Sequence, residues 1–125
     1  EHIQQEHSDM VDRITLSYQR EDDILYVTFG QEGRKGTGIN LHNNILLRLD
    51  RHSAEPLGLT FIDYSKLKNL SNLPLIDLST LPKELGYVVR QLLLSEPVNR
   101  FIDTDTVAFG YFSVINPSIE KVIAA

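Results

Sequence analysis

The stretch Arg13-Ile14-Thr15-Leu16-Ser17-Tyr18-Gln19-Arg20-Glu21-Asp22-Asp23-Ile24-Leu25-Tyr26-Val27-Thr28-Phe29 decides the fold. Ile14, Leu16 and Tyr18 alternate with Thr15 and Ser17, the period of a half-buried strand. Residues 19–23 make a polar turn, and residues 24–29 are rich in β-branched and aromatic side chains suited to a pleated surface. In that second run Leu25, Val27 and Phe29 point one way, and Ile24, Tyr26 and Thr28 the other. Two such runs joined by a short polar loop predict a β-hairpin.

Three more strands follow downstream. Residues 30–38 (GQEGRKGTG) hold four glycines and end the second strand. A phosphate-binding loop needs G-x-x-x-x-G-K-[ST] opening a helix; this stretch lacks the pattern and feeds a strand, so it reads as a flexible hairpin loop. Ile39 and Leu41 make a short strand, and His42-Asn43-Asn44 a turn. Ile45, Leu47 and Leu49 then alternate with Leu46, Arg48 and Asp50, and after residues 51–56 Leu57, Leu59 and Phe61 alternate with Gly58, Thr60 and Ile62. Five successive strands with short connections predict an antiparallel meander.

Residues 64–79 lose the alternation. Their leucines resemble one copy of a leucine-rich repeat, which needs several copies to bury a core, so they read as a connection tucked against the sheet. Thr80 as a cap and Pro82 in the first turn open a helix. Its apolar stripe is Leu85, Val88, Val89, Leu92 and Leu93, and Pro97 stops it near Ser95. Gly86 inside the helix costs about 1 kcal/mol relative to Ala, which predicts a close packing partner there. Residues 98–112 return to extended character, with Val107, Phe109 and Tyr111 alternating. Asn116-Pro117 then opens a short last helix with Ile119, Val122 and Ile123 on its apolar face. The fold class is α+β: an antiparallel β-meander of about five strands, then a helix, a further extended segment and a short C-terminal helix. Residues 1–12 form an acidic leader in which Ile3, His7 and Met10 fall at helical spacing. Residues 13–125 form one domain, with the meander in 13–65 and the helix-containing part in 66–125.

A chain of 125 residues suits one domain, and folding at this length buries about two-thirds of the surface the unfolded chain exposes. The absence of Cys excludes a disulfide scaffold, a Cys-zinc site and a thiol nucleophile. No apolar run approaches the ~18 residues of a membrane span, and the acidic opening lacks a signal-peptide layout. A cytoplasmic location and no membrane partner are therefore expected. The chain opens on Glu1 rather than Met, as a trimmed or partial chain does. Twelve basic and seventeen acidic residues give a net charge of -5. Residues 1–12 carry Glu1, Glu6, Asp9 and Asp12 with no Lys or Arg, so the body is nearly neutral. Arg34-Lys35 is the one adjacent basic pair, and without a basic stripe the sequence argues against nucleic-acid binding.

Residues 13–65 resemble the small bacterial domain-of-unknown-function family 2283. That family opens with a Tyr-Asp-x-x-x-Asp-x-Leu-Tyr-Ile pattern, matched here by the stretch from Tyr18 through Asp23 to Val27. Its later strands correspond to Asn44-Ile45-Leu46-Leu47-Arg48-Leu49-Asp50 and to Gly58-Leu59-Thr60-Phe61-Ile62-Asp63-Tyr64-Ser65, the last two residues standing where the family has Ala-Ser. Gln19, Thr60 and Tyr64 depart from the pattern. The resemblance implies a small β-meander that pairs with copies of itself or with partners, and, through relatives beside toxin-like genes, an antitoxin or accessory role. It implies no chemistry.

Few residues read as chemical. The acidic turn Glu21-Asp22-Asp23 lacks EF-hand spacing and reads as a solvated hairpin tip. Asp103 and Asp105 form a D-x-D triplet of the kind that holds divalent metals, and equally a turn. His42 and His52 flank one strand on turns that can approach each other, which makes them a candidate metal or ligand pair. Tyr18, Tyr26 and Tyr64 bury rings and lend hydroxyls, so with the two histidines they are the candidate ligand-binding set. No G-x-S-x-G elbow or H-E-x-x-H pair occurs, so no catalytic residue and no cofactor are assigned.

Apolar residues stand on both faces of the strands: Ile24 beside Leu25, Leu46 beside Leu47, Ile62 beside Phe61. One helical stripe covers one face of a small sheet, so the other face calls for a second subunit or a protein partner. The leading expectation is a non-catalytic interaction or regulatory module that is homodimeric or partner-bound. The alternative is a small-molecule-binding protein or modest enzyme with a pocket between sheet and helix.

Overall fold

Alternating burial along five segments, with a sixth strand paired at one edge, builds one antiparallel sheet. The structure, a computed structural model, describes residues 2–6, 13–31, 33–67, 70, 73–75, 78–103 and 111–115. The strands are β1 (His2–Glu6), β2 (Arg13–Gln19), β3 (Ile24–Phe29), β4 (Thr37–His42), β5 (Ile45–Leu49) and β6 (Pro56–Ile62). They lie in the order β1-β2-β3-β6-β5-β4, with every neighbouring pair antiparallel. The α+β class and the five strands read from the sequence are present. β1 is additional: part of the expected acidic leader pairs with β2, from His2 opposite Ser17 to Glu6 opposite Arg13. Ile3 therefore lies in a strand, while His7 and Met10 lie outside the described residues.

The glycine-rich segment is a crossover rather than a hairpin loop. β3 pairs with β2 on one side and with β6 on the other, so β4 cannot join it. Residues 30–36 instead carry the chain to the far edge, and β4, β5 and β6 step back until Leu59 and Phe61 meet Val27 and Leu25. Gly36 shows how tightly the segment passes. A Cβ there would stand 2.5 Å from the Leu49 carbonyl oxygen and 2.6 Å from Leu57 Cδ1, closer than side chains tolerate. Arg34 fastens the crossover, reaching Asp50 Oδ2 at 3.3 Å and Glu55 Oε2 at 3.4 Å.

One face of the sheet carries the core. Ile14 and Leu16, Leu25 and Val27, Leu59 and Phe61, Ile45 and Leu47, and Ile39 are all buried there. The described elements after β6 cover this inner face: α1 (Tyr64–Leu67), β7 (Leu73–Pro74), a 3₁₀ turn at Leu78–Thr80, α2 (Lys83–Leu93), a 3₁₀ turn at Val98–Arg100, β8 (Ile102–Asp103) and β9 (Tyr111–Val114). β7, β9 and β8 form a small second sheet in that order. Tyr64, Leu67, Leu78, Val89, Leu93, Phe101 and Phe112 join the same core cluster as the inner face. The connection after β6 thus tucks Leu67, Leu73 and Leu78 inward, as its leucines suggested, although Leu70 stays exposed.

α2 follows its sequence pattern with one shift at the start. Val89 and Leu93 have no exposed surface, and burying such a side chain contributes about 2 kcal/mol. Thr80 does not cap the helix. It belongs to the preceding 3₁₀ turn, and Pro82 holds the N-cap position without a side-chain cap. The close partner expected at Gly86 is the Leu78 carbonyl oxygen, 3.0 Å from where a Cβ would stand. The strand residues expected at 107–109 and the last helix expected from Asn116 lie outside the described residues. Among the described residues no helix is long and apolar enough to cross a membrane.

Candidate functional site

Alternation forces a second face. A strand that buries Leu25 and Val27 inward presents Ile24 and Tyr26 outward. Register then assembles them with their neighbours: Ile24 stands opposite Ile62, Tyr26 opposite Ser17 and Thr60, and Thr60 opposite Leu46. Ile62 is 42% exposed and Tyr26 36%, while Ile24, Leu46 and Thr60 are half-buried. The described elements after β6 pack through the inner-face core instead. Further along the same outer face Gly58 lies under Arg48, whose Nη2 would be 3.4 Å from a Cβ at that position. Thr15, at an outward position of β2, is buried, so that part of the outer face is covered, and the apolar outward residues among those described lie on β3, β6 and β5.

A polar corner borders this cluster at the β2–β3 turn. Asp23 takes a left-handed backbone with φ 55°, a conformation Asp adopts more readily than most residues. That geometry turns its carboxylate toward the start of α1. Tyr18 Oη donates to Oδ1 at 2.7 Å, the Ser65 N–H donates to Oδ1 at 3.1 Å, and Ser65 Oγ donates to Oδ2 at 2.6 Å. The Tyr64 N–H donates to the Asp23 carbonyl at 3.0 Å. Burial pushes the Asp23 carboxyl up, but the Ser65 and Tyr18 hydroxyls, the Ser65 N–H and the Lys66 charge outweigh it and hold the group below its ordinary value. Tyr18 moves the other way: its bond to Asp23, burial and the Asp23 charge all raise it, against a smaller pull from Arg20. Asn44 extends the corner, donating from Nδ2 to the Ile62 carbonyl at 3.1 Å and to Asp63 Oδ2 at 3.3 Å.

The corner's chemistry is that of a clamp. A carboxylate held below its ordinary value is a poor general base, and Ser65 Oγ faces that carboxylate. The acidic turn is thus tied down at Asp23 rather than wholly solvated. Sequence reading missed the link because Asp23 and Ser65 are 42 residues apart.

The candidate ligand set does not converge on one pocket. Tyr18 and Tyr64 meet edge to face with centroids 6.1 Å apart, and Tyr64 also packs on Phe61 at 6.0 Å. Tyr26 is on the outer face, away from them. A register shift at the end of β4 brings His42 opposite Ile45, and its ring lies 6.2 Å from that of Phe112. Burial lowers its pKa, and its Nδ1 accepts the Asn44 N–H at 3.1 Å. His52 is exposed in the turn after the opposite end of β5, where its N–H donates to Asp50 Oδ1 at 2.8 Å. β5 holds five residues at about 3.4 Å each, so the two histidine turns stand roughly 15 Å apart and cannot share a metal. Asp50 is held below its ordinary value, chiefly by the N–H groups of Ser53 and His52. Asp103 lies in β8 opposite Ser113, and Asp105 is outside the described residues. Among the described residues no three His, Asp or Glu side chains group to hold a metal. Val89 and Leu93 of α2 and Phe61 of β6 are fully buried in the same core cluster. Compared with family models, with curated proteins and with solved structures, the chain matches none.

Proposed function

We propose that this protein is a non-catalytic interaction module that self-associates through the outer face of its sheet. The carrying observation is the cross-strand cluster of Ile24, Tyr26, Leu46 and Ile62, which the register makes contiguous and which the described C-terminal elements leave outside the core. Isolated exposed apolar residues are ordinary, whereas contiguous ones on a flat sheet face mark contact surfaces. A second copy presents the same cluster, so a two-fold face-to-face pairing places like on like. The resemblance of residues 13–65 favours the same reading and a bacterial cytoplasmic setting, with an antitoxin-like or accessory role.

Light scattering across a range of protein concentrations tests this. The expected result is a mass rising from one chain toward two, with Ile62→Asp held at one chain while its far-ultraviolet circular dichroism stays unchanged. A single-chain mass at every concentration would overturn self-association.

A further inference from the structure

α2 carries a second stripe beside its core stripe. Lys83, Gly86, Tyr87 and Arg90 recur at i, i+3, i+4 and i+7, so they share one side of the helix. That side faces the turn at residues 78–81, because Gly86 lies against the Leu78 carbonyl. Between helix and turn runs a cleft of about 530 Å³, bordered by Leu78, Leu81, Lys83, Tyr87 and Arg90. Tyr87 is 65% exposed, the largest exposure of any bulky apolar or aromatic side chain among the described residues.

Glu84 adjoins Lys83 in the chain, but neither cation has an acid three or four residues away along the helix. The positions three and four residues from Lys83 hold Ser79, Thr80, Gly86 and Tyr87; those from Arg90 hold Gly86, Tyr87, Leu93 and Leu94. Neither cation makes an ion pair among the described residues. Such a stripe stands out on a chain whose net charge is -5. Seven helical residues at 1.5 Å each separate the two cations by about 10 Å, a distance an extended peptide covers in three residues.

We propose that this cleft docks an extended acidic segment of a partner protein. Two carboxylates three residues apart pair with Lys83 and Arg90, and an apolar residue between them packs on Tyr87 and Leu81. Charge complementarity selects the occupant, and the exposed ring supplies the apolar contact. The site is independent of the sheet face, so either proposal stands if the other fails.

The test is fluorescence anisotropy of a labelled Gly-Glu-Leu-Leu-Glu-Gly peptide added to the intact chain. Binding in the micromolar-to-millimolar range is expected, weakening with salt because exposed pairs are screened over about 8 Å at physiological ionic strength. Lys83→Glu with Arg90→Glu should weaken it by about tenfold or more, from the loss of two exposed pairs and the repulsion that replaces them. Tyr87→Ala should weaken it without changing the salt dependence. Circular dichroism of each variant should match the parent, since all three side chains are exposed. No binding at millimolar protein, equal binding of the peptide with Gln for Glu, or binding unaffected by the charge reversal would each overturn the proposal.

Discussion

Ser65 Oγ donates to Asp23 Oδ2 at 2.6 Å, joining the tip of the first hairpin to the first turn of α1. The same carboxylate takes the Ser65 N–H and the Tyr18 hydroxyl, so one side chain fixes three elements. The corner stands at the end of the sheet where Ile24 meets Ile62, and it therefore holds the edge of the proposed contact face in register.

Removing this carboxylate should lower stability. Hydrogen bonds to charged groups contribute about 1.5–3 kcal/mol, and partial exposure puts Asp23→Ala at the lower end of that range. Ser65→Ala should cost about 1 kcal/mol. Asp23→Gly loses the same bonds but relieves the left-handed backbone, so it should be less damaging than Asp23→Ala. Urea unfolding of the singles and of the double variant checks this. Additive effects of Asp23→Ala and Ser65→Ala would show that the two do not act as a pair.

Acid should weaken the clamp. Asp23 is below its ordinary value of 3.8 when folded, so the unfolded chain takes up the proton first. The stabilisation is complete above pH 3.8 and is lost as pH falls through the lower folded value. Asp50 acts in the same sense. Thermal melts from neutral to strongly acidic pH should show stability falling in that window, with a shallower fall in Asp23→Asn. An unchanged slope in the variant would count against the assignment.

His42 should titrate below the ordinary 6.5, because burial disfavours its charged form. Folding therefore favours the neutral ring. The contribution is present above pH 6.5 and declines as pH falls through the lower folded value. With Nδ1 accepting the Asn44 N–H, the neutral proton resides on Nε2. Nitrogen-15 shifts of the ring report both points, and an Nδ1–H tautomer would contradict the geometry.

The crossover glycines should differ in kind. Gly33 has φ 83° and open space around it, so Gly33→Ala should cost about 1 kcal/mol of backbone strain. Gly36→Ala drives a methyl into the Leu49 carbonyl, a backbone group that cannot swing away, and should cost about 1–3 kcal/mol as overpacking does. Chemical unfolding of the two variants ranks them, and equal or reversed costs would disprove the close passage.

The sequence made the strands legible because their burial alternates with period two. Ile14, Leu16, Leu25, Val27 and Phe29, and later Leu59 and Phe61, read directly into the observed inner face. The helix was legible for the corresponding reason, since Val89 and Leu93 sit on a stripe of helical spacing. The route between β3 and β4 was not. Strand order depends on which edges pair over long separations, and nothing local in residues 30–38 distinguishes a hairpin loop from a crossover. β1 was obscured because HIQQE is short and polar, and its pairing is supplied by β2. The Asp23–Ser65 link was hidden for the same reason as the crossover: it is made by tertiary approach.

Native mass spectrometry of the parent and of Ile62→Asp decides whether the face bearing Tyr26 and Ile62 binds a second copy. Pairing through this face gives a parent ion of two chains with no added mass, and a variant ion of one. A parent that flies as a single chain across all concentrations, or a dimer that survives Ile62→Asp unchanged, would contradict it.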